Sequence, residues 1–149
     1  MFRTMSSRVL LAGVLLVAVV MAVCLAEEIV NVNINPHKIV LNAQGAADDV
    51  QANVSIGLSS ARIPVFDVKL WFDDELVAEA VTARYCLIDQ ILIIGFDREE
   101  LLANPDVIAM ANSIVTATVA GTVTDNNGVT KEFRGLDTVE IVKPGKNGQ

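Results

Sequence analysis

Apolar and polar residues alternate along most of this chain, and this period of two constrains its fold more than any other feature. The alternation is clearest at residues 50–58, and it recurs at residues 30–34 and 66–72. Because successive side chains of a β-strand point to opposite faces of the sheet, such a pattern predicts strands with one buried face. We therefore expect a fold that is built mainly from half-buried β-strands.

Further strand-like stretches follow, and together they predict an all-β domain. They span residues 38–42, 76–81, 85–88, 91–96, 113–124, 129–133 and 137–142. Asn127-Gly128 is a strong hairpin-turn signal, whereas Arg134-Gly135 is expected to interrupt the ladder before the last strand. The unbroken apolar run at residues 91–96 is typical of a strand that is covered on both faces. About seven or eight strands at spacings of roughly 8–12 residues favour an antiparallel immunoglobulin-like β-sandwich.

One short helix is predicted in a connection between strands. Asp97 precedes Arg98–Ala103 and can cap the first backbone amides of a helix there, with Glu100 placed as in a capping box. Asn104-Pro105 is expected to end this helix. Residues 107–111 are then predicted to form a short turn or a loop.

The first 26 residues have the layout of a secretory signal peptide. Arg3 and Arg8 form a basic start, residues 9–26 are apolar, and acidic residues follow directly. Small side chains stand one and three positions before Glu27, as signal peptidase requires, and Cys24 is one of them. This arrangement favours a mature chain that begins at Glu27.

Three fates of this segment are compatible with its sequence. It is cleaved before Glu27 or after Ala22, or it stays as an anchor, since its apolar run is at the lower limit of about 17–25 residues for a membrane span. The third is lipidation of Cys24, although Val23 is larger than the residue that usually precedes a lipidated cysteine. All three export the domain, so we expect a secreted, periplasmic or cell-surface protein.

The exported part of the chain is acidic. The whole sequence has 11 basic and 18 acidic residues, and loss of Arg3 and Arg8 with the signal leaves a net charge of −9. Such a charge disfavours binding to nucleic acids or anionic membranes. The predicted organisation is a signal peptide at 1–26, one β-sandwich domain at 27–143 and a disordered tail at 144–149.

Short motifs at both ends of the domain resemble a module of secreted bacterial and archaeal proteins. The module has the pattern I-x-P-x-x-L-N-L-x-S-x-G … F-D-R … V-T-G … F-x-G-x-D-x-I-x-V, and the matching residues here are 34–45, 96–98, 117–123 and 133–142. Val40 and Ala43 depart from it. In those proteins the module often stands beside cohesin-like or dockerin-like domains. The resemblance implies an extracellular β-sandwich with other extracellular proteins as partners, and it brings no catalytic residues.

No catalytic set is recognisable in the mature sequence. Its one histidine, His37, would need a nearby serine to form a Ser-His-Asp arrangement, and no nucleophile motif is present. The serines considered are Ser55, Ser59, Ser60 and Ser113. One histidine and one cysteine are too few for a zinc site. Cys86 is predicted to be a buried, apolar thiol without a disulfide partner, so we predict no catalytic, cofactor or metal-binding residues.

Two kinds of ligand remain open. Acidic pairs and triplets in predicted loops could supply oxygen atoms to calcium; they are Asp48-Asp49, Asp73-Asp74-Glu75 and Asp125-Asn126. Trp71 alternates with the apolar residues of its strand, so it is expected on the other face of that strand. It can face outward, where its ring could be a platform for a sugar, or it can lie between the sheets.

These patterns favour an exported, non-catalytic β-sandwich module that binds or scaffolds outside the cell. Its expected partners are other extracellular proteins or a surface polymer, with contact to a membrane only if the signal is retained or Cys24 is lipidated. Exposed edge strands could also pair two copies into a homodimer. The alternatives are a calcium- or glycan-binding module and a small secreted hydrolase with an unrecognised site.

Overall fold

The computed structural model describes residues 26–41 and 49–144 of the chain. Within these ranges the protein is all-β, and no helix among them is long and apolar enough to cross a membrane. The predicted signal peptide lies outside the described residues except for its last residue, and so does the predicted tail except for its first. These two predictions therefore stay predictions.

Nine strands and two short helices make up the described part of the chain. The strands are β1 (Glu28–Ile29), β2 (Val32–Asn35), β3 (Lys38–Val40), β4 (Val50–Ser55), β5 (Val65–Phe72), β6 (Glu75–Cys86), β7 (Ile91–Phe96), β8 (Ser113–Thr124) and β9 (Thr130–Val142). The helices are α1 (Arg98–Ala103) and α2 (Pro105–Ala109).

The strands form one curled, mixed sheet in the order β1-β9-β8-β5-β6-β7-β4-β2, and β3 also pairs with β9. β1 and β3 run parallel to β9, whereas the remaining neighbours are antiparallel. The prediction of an all-β domain is therefore confirmed. The purely antiparallel, immunoglobulin-like arrangement is not, because the first strands of the chain join the sheet in parallel.

The long strand β6 belongs to both halves of this sheet. Its residues up to Glu79 pair with β5, and its residues from Ala80 onward pair with β7. A register shift between Ala80 and Thr82 marks the passage from one partner to the other. Such irregularities bend a strand and increase its twist, so the sheet curls around its apolar face.

The two halves of the curled sheet share one hydrophobic core. Phe72 of β5, Phe96 of β7 and Phe133 of β9 are fully buried in it, as are Leu101 of α1 and Val107 of α2. Burial of an apolar side chain of this size contributes about 1.5–3 kcal/mol. Since the cysteine in the described residues is free, this core is the main source of stability.

Several element boundaries agree with the sequence pattern, and others do not. β7 and β8 have the predicted bounds, and Asp97 caps α1 by accepting a hydrogen bond from the N–H of Glu99 at 2.9 Å. The stretches 76–81 and 85–88 are joined in the single strand β6. Pro105 not only follows α1 but also begins α2, because proline suits the first position of a helix.

Residues 28–40 cross the open side of the curled sheet. β1 pairs with β9, β2 pairs with β4 across the opening, and β3 returns to β9. The carboxylate of Asp137 in β9 accepts a hydrogen bond from the N–H of Ile34 in β2 at 2.7 Å. This bond ties the two sides together. The edge strands β1, β2 and β3 are only two, four and three residues long. Such short edges limit pairing with other chains.

Gly135 makes this crossing possible. The prediction that Arg134-Gly135 interrupts the ladder is wrong, because β9 runs without a break from Thr130 to Val142. A Cβ atom at Gly135 would overlap Cγ2 of Val32 and would lie 2.7 Å from the carbonyl oxygen of Val30. The missing side chain therefore lets the segment between β1 and β2 lie directly on β9.

Replacing Gly135 with alanine is expected to destabilise the fold by about 1–3 kcal/mol, the usual cost of overpacking. The added methyl group has to displace both Val32 and the backbone at Val30. Equilibrium unfolding in urea measures the change. Gly57→Ala is the matched control, because a Cβ atom there meets nothing within 4 Å, and it should stay within about 0.5 kcal/mol of the parent. Equal stability of the two variants would contradict this close crossing.

Candidate functional site

A depression of about 240 Å³ opens on the solvent side of the sheet, over β5, β8 and β9. We call it the outer-face depression. β5 supplies Asp67, Lys69 and Trp71 to its wall. These residues alternate along the strand with residues of the core, so the period of two turns them to the outside. Of the two orientations that the sequence leaves open for Trp71, outward or between the sheets, the structure shows the outward one.

Two small residues of β8, Ala120 and Gly121, form part of the lining. Ala120 lies between Lys69 of β5 and Arg134 of β9 in the strand register. It is only 5% exposed although it is on the outward side, because its longer neighbours stand around it. The hollow thus results from a small residue that is surrounded by long ones.

β5 and β8 approach each other closely beneath the depression. A Cβ atom at Gly121 would overlap the carbonyl oxygen of Asp67 and would lie 2.6 Å from Cα of Val68. Gly121 also has a φ of 157°, which side-chain-bearing residues rarely adopt. Only glycine fits this position without moving the backbone of β5.

Charged groups of both signs line the depression together with the tryptophan. Arg134 of β9 donates from Nε to Oε1 of Glu27 at 3.0 Å, and both residues line the depression. Asp67 and Glu132 lie on either side of Thr122, since β8 pairs with both of their strands. The pair between Arg134 and Glu27 is solvent-exposed and adds at most about 1 kcal/mol to stability. Its groups therefore remain available to a ligand.

The lining offers hydrogen-bond donors, acceptors and an aromatic surface. Lys69 and Arg134 donate, the carboxylates of Asp67 and Glu132 accept, and the Trp71 ring provides apolar area. None of the described residues that line the depression is a serine, cysteine or histidine. The lining therefore combines groups that can hydrogen-bond and stack against a ligand.

His37 lies beside a carboxylate, and its partners in the described structure are Asp137 and Thr138. Its Nδ1 is 3.5 Å from Oδ2 of Asp137 and 3.5 Å from the carbonyl oxygen of Thr138. Three of the candidate serines have hydrogen bonds elsewhere: Ser59 with Asp125, Ser60 with the N–H of Arg62, and Ser113 with the carbonyl oxygen of Met110. The fold thus brings together the histidine and an aspartate, and in the described part of the chain His37 forms no hydrogen bond to a serine.

Asp125, one of the candidate calcium ligands, has a structural role instead. It is 1% exposed, and its carboxylate accepts hydrogen bonds from the N–H groups of Ser59, Asn127 and Val129 at 2.8, 2.9 and 3.0 Å. The hydroxyl of Ser59 donates a further bond at 2.7 Å. Burial by itself would raise the pKa of Asp125, but these bonds to the ionised form outweigh it and lower the pKa to about 2.

The other candidate calcium ligands are dispersed. Asp73 and Asp74 adopt left-handed backbone conformations in the turn between β5 and β6, and Asp73 accepts a bond from the N–H of Thr116 at 2.8 Å. Asp48 lies outside the described residues. Within the described ranges, no three His, Cys, Asp or Glu residues are grouped so that they could hold a metal ion.

Cys86 is not buried as predicted. It is half-exposed at the end of β6, and its thiol donates to Oδ2 of Asp89 at 3.5 Å. The inward position belongs to Tyr85, whose hydroxyl donates to the carbonyl oxygen of Ile56 at 2.7 Å and accepts from the N–H of Leu58 at 3.1 Å. Adjacent residues of a strand face opposite sides, so Cys86 points away from the core.

No family model matches this chain, and no curated protein matches it. The resemblance of residues 34–45 and 133–142 to a module of secreted proteins therefore stays a prediction.

Asp125→Asn is expected to lower the unfolding temperature at neutral pH by several degrees, because an amide cannot accept all four hydrogen bonds. The folded protein holds the pKa at about 2, below its ordinary value of 3.8. The stability that the carboxylate contributes is therefore complete above about pH 4 and is lost as the pH falls towards 2. Thermal unfolding of parent and variant across this range should show a difference that shrinks with acidification.

Asp74→Asn is the matched control for this experiment. Asp74 is an exposed turn residue with a φ of 70°, a conformation that asparagine also adopts. This variant should unfold at nearly the parental temperature throughout. A difference between Asp125→Asn and the parent that stays constant from pH 7 to about pH 2 would contradict the role of the ionised carboxylate.

Proposed function

We propose that this chain is an exported, non-catalytic module that binds a ligand through the outer-face depression. The observation that carries the proposal is the position of Trp71, which is turned out of the core into a hollow with charged residues of both signs. Large aromatic side chains are usually placed where they bury area. A concave aromatic site with a few converging polar groups is the usual form of a binding site.

The proposed cellular location follows from the sequence. A signal peptide at 1–26 would export the chain to the cell surface, the periplasm or the medium. Glu27, the first residue after the favoured cleavage position, already bonds to Arg134, and β1 begins at the next residue. The first strand of the described residues therefore begins two positions after the end of the predicted signal.

The proposed fold, in its finer form, is a β-sandwich of immunoglobulin-like type. The group β1, β3, β9, β8 and β5 and the group β7, β4 and β2 would be its two layers, with β6 shared between them. A single core cluster with residues from both groups supports this arrangement.

The partners that we propose are other extracellular proteins or a surface polymer. The acidic charge of the exported chain argues against nucleic acid. A homodimer through edge strands is less favoured than one ligand at the depression, because the edges are short and the N–H of Ile34 is already bonded to Asp137.

The test is binding of the purified chain 27–149 to cell-surface and extracellular material of the source organism. Trp71→Ala should reduce binding at least about tenfold, as expected for loss of a central aromatic contact. Ile88→Ala is the control, since Ile88 is 93% exposed in the turn between β6 and β7 and should leave binding unchanged. Co-sedimentation followed by quantitative blotting measures the bound fraction. Equal binding by the parent and Trp71→Ala would refute the proposed site.

A further inference from the structure

We propose that the ligand of the outer-face depression is a neutral polysaccharide chain, with one sugar ring stacked on Trp71 and the hydroxyls of the neighbouring sugar units bonded to the charged residues of the depression. This inference rests on the proposed function and names the chemical class of its ligand.

The first support is the combination of groups that line the depression together with the aromatic ring. Lys69 and Arg134 can only donate hydrogen bonds, whereas the carboxylates of Asp67 and Glu132 only accept them. A hydroxyl group does both, so a ligand rich in hydroxyls can satisfy the two kinds of residue together. The two carbon faces of a sugar ring supply the apolar surface that the Trp71 ring requires.

The same surroundings argue against a protein partner at this site. The centre of a protein–protein interface is depleted of lysine and acidic residues, although it is enriched in tryptophan and arginine. Here Lys69 is two residues from Trp71 in β5, and Arg134 and Glu27 are bonded to each other in the same depression. Each of these charges would lose its hydration beneath an apolar patch of a partner, at a cost in free energy that hydroxyl groups would offset.

The size of the depression favours part of a polymer over a small, enclosed molecule. Its volume is about 240 Å³, below the roughly 300–1,000 Å³ of sites that enclose a complete small ligand. The depression also lies open on the face of the sheet. A long chain can therefore place a short stretch in it while both of its ends remain in solvent.

The geometry of the sheet sets a direction for that chain. Trp71, Lys69 and Asp67 follow one another on the outer side of β5, at intervals of about 7 Å. Each is in register with a residue of β8, and those neighbours are Thr118, Ala120 and Thr122. A polymer along β5 would meet the aromatic ring first and then the cation and the carboxylate, above a row of small side chains.

The charge balance indicates a neutral polymer. Three acidic residues, Glu27, Asp67 and Glu132, line the depression together with two basic ones, Lys69 and Arg134. The chain 27–149 as a whole carries a net charge of −9. An acidic polysaccharide would be repelled by both the site and the rest of the protein.

Intrinsic fluorescence of the chain 27–149 tests this proposal, because Trp71 is the single tryptophan of the sequence. The probes are four soluble neutral polysaccharides, namely dextran, mixed-linkage glucan, xylan and galactomannan, with polygalacturonate as the acidic comparison. We expect a saturable shift of the emission with at least one neutral polymer and no such shift with polygalacturonate.

Affinity electrophoresis in gels that contain the same polymers extends the test to variants without the tryptophan. Trp71→Ala should weaken binding at least about tenfold, Trp71→Phe should retain part of it, and Lys69→Met should weaken it without removing the ring. Ile88→Ala should migrate like the parent. Circular dichroism checks that each variant is folded, and Lys69→Met serves as the site variant if Trp71→Ala does not fold.

The outcomes separate the ligand class from the proposed function. Failure of all four neutral polymers to shift the emission or retard the protein would overturn the polysaccharide proposal. If binding to surface material still depends on Trp71, the proposed function stands and the ligand is another molecule. Tighter binding to polygalacturonate than to every neutral polymer would also overturn the proposal of a neutral polysaccharide. Release of reducing ends that stops in Asp67→Asn would support the ligand class but would make the chain a hydrolase.

Discussion

The crossing of residues 28–40 over β9 is the contact on which the rest of this structure depends. A curled sheet with an open side exposes its apolar face to water, and the cysteine of the described residues provides no disulfide to hold that side closed. Pairing of β2 with β4, and of β1 and β3 with β9, covers the opening. The bare backbone of Gly135 and the bond from Ile34 to Asp137 allow that cover to fit closely. Core burial can then supply the stability.

Closure on the inside leaves the outer face of the sheet free to carry a site. The inward residues of β5, β8 and β9 pack in the core. The outward residues of the same strands are therefore not constrained by core packing. Two small residues of β8, Ala120 and Gly121, line the depression together with the longer side chains of Trp71 and Arg134. The rigidity that positions these side chains comes from the strands themselves, which suits a binding surface without moving parts.

Local features of the sequence were informative where one segment decided its own structure. The bounds of β7 and β8, the cap at Asp97 and the hairpin at Asn127-Gly128 agree with the prediction, because alternation, capping and turn chemistry act over a few residues. The sequence pattern predicts a strand break at Gly135, and this is wrong. Glycine is needed there because a segment about 100 residues earlier lies directly against it. The role of Asp125 was missed in the same way, because its partner Ser59 is 66 residues away.

The sequence by itself determined the all-β class, the positions of most strands and the alternation of Trp71 with the apolar residues of its strand. These follow from the period of two, which any strand imposes on its own residues. Only the tertiary structure decided which strands became neighbours, and hence that Trp71, Arg134 and Glu27 share one depression. Strand order is set by how the whole chain buries its apolar surface, so the parallel pairing of β1 and β3 and the site on the outer face could not be read from any single segment.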